Sequence, residues 1–316
     1  MNDQLLKRRL PKVTTRQLWH FVAAAETGKL AEAGRLLHMA PSAISTSISE
    51  LETTLGVQLC VRHKAKGVVL TPSGEAALTL ARNLITDLID FETAFNGEDE
   101  AARAPLTIGC FSSLAPLVLP ATQSAFSASY PNAAVEFIEE SHEDLQQRLL
   151  EGTIDMAFLY DLDIDHRLQR IPVMQLRPSV LLPGDHPLAG HDAPAEIPFH
   201  AIGDESFIIF SGSPLYEQYL RIFADEGFTP HIAQSCRNVG TVRAFVGRGA
   251  GIALAYEKYD LQVTVENLQI AVKPLVSRAA QPLDICLVLP RGAKPSMLSR
   301  YWIDTAHMVL GDDRTE

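Results

Sequence analysis

The chain lacks most of the features that announce a secreted or membrane-bound protein. Its four cysteines, Cys60, Cys110, Cys236 and Cys286, are scattered over 316 residues with no CxxC pair. That spacing excludes a disulfide framework or zinc ribbon and fits isolated thiols in a reducing compartment. No apolar run approaches the ~18 residues needed to cross a bilayer. The basic opening MNDQLLKRRLPK leads into neither an apolar h-region nor a small-residue cleavage site, so a cytoplasmic protein with no membrane partner is expected.

Enzyme signatures are also missing. The ten histidines show no HExxH or other metal spacing, and no GxSxG elbow occurs, so no metal ligand, catalytic residue or cofactor is expected and the chain reads as no enzyme. Gly247, Gly249 and Gly251 imitate a dinucleotide loop but follow a helix and precede a strand, the reverse of the order that aims amides at a pyrophosphate. Asp161, Asp163 and Asp165 imitate the start of a calcium loop, yet the sixth position is His166 and the twelfth Pro172.

Positive charge is scarce overall, and its distribution is informative. The net charge is −11, which counts against a nucleic-acid partner until the chain is divided. Residues 1–70 carry ten Lys or Arg against five Asp or Glu, a balance of +5, and residues 71–316 carry −16. A basic head on an acidic body lets phosphates attract one end only. With 47% apolar and 21% charged residues, the length suits about two globular domains.

Three short helices are predicted in the head. TRQLWHFVAAAETG starts at a Thr14 or Thr15 cap, carries Leu18, Phe21, Val22 and Ala25 on one face, and stops at Gly28. KLAEAGRLLH follows, with Leu30, Ala33, Leu36 and Leu37 as its stripe. The third helix begins at Pro41, which needs no amide hydrogen there, and runs to Gly56 with Ile44, Ile48, Leu51 and Leu55 inward. Its other side presents the short hydroxyls Ser42, Ser45, Thr46, Ser49 and Thr53. VQLCV and GVVL then read as a hairpin whose tip holds Arg62, His63, Lys64 and Lys66. A narrow helix beside a cationic loop is a winged helix-turn-helix.

Residues 15–78 resemble the DNA-binding domain of the LysR-type transcriptional regulators. RQL before an aromatic, LE and LG closing the third helix, an Arg after the next strand and LT-x-x-G opening the next helix carry the resemblance. Where the family has Ser-Gln-Pro and a long basic side chain, this chain has Ala40, Pro41, Ser42 and Thr46. The departures remove a side-chain cap and the side chains that make bidentate base contacts. Double-stranded promoter or operator DNA is therefore expected to be held by Arg62, Lys64 and Lys66 at phosphates or the minor groove. Pro41, Ser42, Ser45, Thr46 and Ser49 would supply the groove face, with short or water-bridged contacts.

After Thr71 a long helix is predicted, with Ala77, Ala81, Leu84, Leu88, Phe91 and Phe95 spaced by fours and threes. Such a seam suits the same helix of a second subunit. The resemblance likewise implies dimerisation here, as a homodimer or homotetramer that meets the transcription machinery.

The body alternates strands and helices, which predicts parallel βαβ units. In an α/β sheet ligands bind where strands end and helices begin. That rule selects Cys110, Phe111, Ser112, Ser113, Ser141, Tyr160, Phe210, Ser211, Gly240 and Thr241, a set suited to a small anion with an apolar part. LTIGC, YPNAAVEF, LLEGTIDMAF, HPLA and TVRAFVGRGAGIAL resemble segments of the effector-binding domain of the same regulators, which is similar to the type 2 periplasmic binding proteins. The expected organisation is then an α/β protein with a DNA-binding domain at 1–72, a linker helix at 73–97 and a two-lobed effector domain at 105–316. Lobe I would hold about 105–177 and 282–316, and lobe II about 178–281. Two alternatives stay open: an architectural DNA binder without effector, and a solute-binding or catalytic α/β protein fused to the head.

Overall fold

The computed structural model describes residues 11–63, 67–96, 105–190, 192–258 and 262–311. They form two compact units that divide near residue 102, with 292–297 grouped with the first.

In the first unit, α1 spans Thr15–Thr27. Thr14 accepts from the Gln17 amide while the Gln17 side chain accepts from the Thr14 amide, a reciprocal capping box. Gly28 ends the helix in the left-handed conformation. Helix α2 covers Leu30–Leu36 and α3 covers Pro41–Leu55, with Pro41 in the first turn and left-handed Gly56 after it. Phe21, Ala24, Ala33, Ile44, Ile48, Leu51 and Leu59 are buried together. Two expected core positions lie outside: Leu36 and Leu55 are exposed. Helix α2 has only two turns, so close contact through Ala33 and Gly34 completes its buried face, and Leu55 is the last residue of α3, next to the Gly56 cap.

The hairpin pairs β1 (Cys60–His63) with β2 (Gly67–Leu70) in antiparallel register. Three hydrogen bonds tie it to the helices. The Val68 amide donates to the Gly28 carbonyl at 2.8 Å, and a side chain at Gly67 would run into that carbonyl. From the other side, one Glu52 carboxylate oxygen accepts from the Leu59 and Cys60 amides at 2.7 and 2.9 Å. Thr71 caps α4 (Pro72–Asn96) by accepting from the Gly74 amide.

The second unit opens with β3 (Leu106–Phe111), α5 (Ala115–Ser129), β4 (Val135–Glu140), α6 (His142–Glu151) and β5 (Met156–Tyr160). Strands β3, β4 and β5 are parallel, as the alternation predicts. The rest of the sheet is mixed. Strand β6 is a single run, Leu168–Pro183. Next come β7 (Ile197–Pro198), β8 (Ser206–Phe210), α7 (Leu215–Asp225), β9 (His231–Cys236) and α8 (Val239–Gly247). The chain closes with β10 (Ala253–Glu257), β11 (Ile270–Val276), β12 (Leu283–Pro290) and α9 (Met297–Leu310). Strands β9 and β11 escape the sequence reading because their faces show no sharp alternation of buried and exposed positions.

Strand β6 joins two sheets. Its first half, to Leu176, pairs with β12, and from Arg177 it pairs with β10 and β11. The chain returns between the end of β11 and the start of β12. Glu226 holds that return, accepting from the Ser277 hydroxyl and the Arg278 and Ala279 amides. Two chain segments thus cross between the two halves of this unit, whose buried side chains form one continuous cluster.

Candidate functional site: a helix face and an interlobe cleft

On α3 the face opposite Ile44 and Ile48 carries exposed Pro41, Ser42 and Thr46 and half-buried Ser45 and Ser49. Thr53 and Ser49 donate to the carbonyls of Ser49 and Ser45 at 2.8 and 3.1 Å, as hydroxyls do inside helices. Nothing on this strip is longer than a threonine, so a groove edge can reach the helix closely. The strip is held from beneath: His20 of α1, buried, bonds through Nδ1 to the Ser47 hydroxyl at 2.8 Å. Burial, with Arg16 nearby, lowers the His20 pKa. Of the expected cationic tip, Arg62 has a described backbone only, in β1, and Lys64 and Lys66 lie outside the described residues.

Along α4 the expected seam divides. Ala81 is buried in the head core and Ala77 packs against it, because these small residues let α4 approach the head. Both therefore leave the seam. Beyond them Leu84, Leu88 and Phe91 are exposed, together with Leu80, at 56, 37, 63 and 63%. The side chain of Phe95 lies outside the described residues.

In the second unit a cleft of about 900 Å³ opens between the lobes. Phe111, Ser112, Ser113, Glu140, Ser141, His142 and Glu143 line it from lobe I, where β3 and β4 end and α5 and α6 begin. Phe210, Ser211, Gly212, Arg237, Asn238 and Gly240 line it from lobe II. The first amides of a helix have no carbonyl four residues back, so the starts of α6 and α8 bring amide donors and positive dipole ends to the cleft, while α5 contributes Pro116, which has no amide hydrogen. The Phe111 ring packs in T-shaped fashion against His142, Tyr160 and Phe210 at centroid distances of 5.9, 5.8 and 6.5 Å. Any side chain at Gly212 would run into the Phe210 ring, so the backbone lies directly on this aromatic floor.

Three expected lining residues do not reach the cleft. Cys110 points into the lobe I core, where burial raises its thiol pKa. Tyr160 is buried behind Phe111, with its hydroxyl 3.3 Å from that of Ser113. Thr241 donates its amide to the Asn238 side chain, so Asn238 is the cap of α8 and takes its place in the wall. Pro116, His142, Glu143, Gln146, Asp163, Ser213, Pro214, Arg237 and Asn238 also line the cleft beyond those expected. Only His142, Arg237 and Asn238 of these lie one or two residues past a strand end, and the others lie three to six residues past one.

Two of the polar side chains here already have partners, His142 and Glu140. His142 donates from Nε2 to the Tyr160 carbonyl at 3.1 Å and accepts at Nδ1 from the Gln146 amide at 3.1 Å. That assignment is the neutral ring, in keeping with a pKa lowered by burial. Arg148 donates from Nε and Nη2 to both oxygens of Glu140, at 2.6 and 2.7 Å, and holds that carboxyl below its ordinary pKa. No helix among the described residues is long and apolar enough to cross a membrane.

Two family models match the chain: "Bacterial regulatory helix-turn-helix protein, lysR family" over residues 15–75 and "LysR substrate binding domain" over residues 99–310. An uncharacterised HTH-type regulator of Bacillus subtilis, YvbU, is 27% identical over 95% of this chain and 99% of its own length. The Hca operon transcriptional activator HcaR of Escherichia coli is 30% identical over 76% and 80% respectively. Among solved structures, the LysR family regulator HinK of Pseudomonas aeruginosa superposes with a TM-score of 0.62 at 29% identity, covering 95% of this chain and all of that one.

Proposed function

The chain belongs to the LysR family of transcriptional regulators, and from that premise we propose which of its surfaces do the work. It is a DNA-binding regulator with an effector-binding domain. The α3 strip Pro41, Ser42, Ser45, Thr46 and Ser49 enters the major groove, and Arg62, Lys64 and Lys66 hold the flanking backbone. The small-molecule effector carries an anionic group and sits in the cleft between the lobes. The apolar row from Leu80 to Phe91 pairs two copies, so that two heads engage two half-sites. The protein works in the cytoplasm and turns over no substrate.

The observation that carries this reading is the open cleft ringed by three helix starts. An architectural DNA binder with no effector would have filled that space with side chains. Catalysis has little support, since Ser113 bonds a tyrosine hydroxyl and His142 is bonded through both ring nitrogens. A ligand acts by preferring one arrangement of the lobes, and hence one disposition of the paired heads.

Fluorescence anisotropy on the duplex upstream of the protein's own gene tests the head. Affinity should fall steeply with salt, and Arg62→Ala should make the slope shallower by about one unit. An unchanged slope removes Arg62 from the contacts. No binding at low ionic strength overturns the reading itself.

A further inference from the structure

The two walls of the cleft differ in charge. Lobe I presents three carboxylates, Glu140, Glu143 and Asp163, and among the described residues that line this wall none is a lysine or arginine. Lobe II presents Arg237, next to the first amides of α8 at Val239 and Gly240. Between the walls lie the rings of Phe111 and Phe210. Given that the cleft is the effector site, we infer that the effector is a zwitterion of the amino-acid type. Its carboxylate rests on Arg237 and the α8 amides, and its ammonium rests on the lobe I carboxylates.

A ligand carrying only negative charge would meet Arg237 on one side and three carboxylates on the other. Arg148 occupies one lone-pair direction on each Glu140 oxygen and leaves the others available to an N–H donor. Asp163 faces Arg221 at 3.7 Å with both side chains more than half exposed, a pairing too weak to withdraw it. Among the described residues no three carboxylate, imidazole or thiol groups come together closely enough to hold a metal ion. The carboxylates are therefore spaced as separate acceptors, an arrangement that suits ammonium hydrogen bonds. A zwitterion also bridges the lobes with opposite charges, so that closure strengthens both contacts.

The test is calorimetric titration of the full-length protein with the twenty common amino acids. Leucine and phenylalanine are matched with 4-methylpentanoate and 3-phenylpropanoate, which lack the ammonium, and with leucinamide and phenylalaninamide, which lack the carboxylate. At least one amino acid should bind, with its two truncated analogues about tenfold weaker or more. Glu143→Gln and Arg237→Gln, both on the surface, should each weaken it about as much while the unliganded melting temperature stays unchanged. Deamino carboxylates that bind as tightly as their amino acids overturn the inference in favour of a simple anion. So does the failure of all twenty, and a broad metabolite panel then separates the two readings. A ligand of another class that is sensitive to Arg237→Gln preserves the cleft as the effector site. Complete silence removes both.

Discussion

The DNA-binding head and the effector-binding body place their working groups in opposite ways. In the head they lie on the outside of single helices: a hydroxyl strip within nine consecutive residues of α3 and an apolar row along α4. In the body they face inward, and the cleft collects residues from Phe111 to Gly240, contributed by separate strand ends. An outward surface gains affinity only by adding a second copy or a long polymer. An inward one gains it by enclosure. Each half should therefore fail under a different kind of substitution.

The largest effect is expected on α4. Replacing Leu84 and Leu88 together by glutamate puts two charges on the exposed row and leaves Ala77 and Ala81 in the head core untouched. Sedimentation should then show monomers. DNA affinity should drop by ~100-fold or more, because the second half-site contact is no longer intramolecular. Effector binding in the cleft should persist. A dimer that survives the double variant, with unchanged DNA affinity, would break the comparison at its outward half.

A smaller effect tests how the head holds its wing. One Glu52 carboxylate oxygen accepts from the amides of both Leu59 and Cys60, two residues that are buried. Glu52→Ala leaves both amides without that acceptor, at a cost of about 2 kcal/mol. The head should melt earlier while the body keeps its own transition. Glu52→Gln retains one acceptor and should fall between. A variant that unfolds in one step with unchanged midpoint would show that the wing is anchored elsewhere.

The same contrast explains what was legible in the sequence. Helix α3 could be read residue by residue, because Pro41, Gly56 and the spacing of Ile44, Ile48 and Leu51 are local signals that fix which face turns out. Leu36 and Leu55 misled because periodicity cannot tell where a short helix runs out of neighbours. Ala81 misled for the opposite reason: its place in the α4 row is real, but the head reaches it first. In the body, Phe111, Ser113, Ser141, Phe210 and Gly240 were accessible from chain order alone, since strands end where helices begin. Arg237 and Glu143 were not, because Arg237 follows β9, a strand without a sharp alternating pattern, and Glu143 lies inside the first turn of α6 rather than at the strand end. Strand β6 hid the lobe boundary by passing through it without a break.

The smallest effect distinguishes the halves by acid. Each half buries one histidine whose pKa is lowered, His20 in the head and His142 beside the cleft. The unfolded chain takes up a proton near pH 6.5. The folded protein does so only at lower pH, so stability is complete above 6.5 and is lost as pH falls through the folded value. For His142 desolvation is the dominant cause, opposed by the Tyr160 carbonyl and by Asp163. Burial raises the carboxyl pKa values of Asp155 and Glu257, which adds stability as pH falls towards the ordinary carboxylate range. The histidine contribution is therefore read as a difference. His142→Gln, which keeps an amide donor for the Tyr160 carbonyl, should flatten the pH dependence of the body transition below 6.5 and leave that of the head unaltered. Equal slopes in variant and parent would mean that His142 is protonated as readily in the fold as in water, against the bonding that makes it a neutral wall of the cleft.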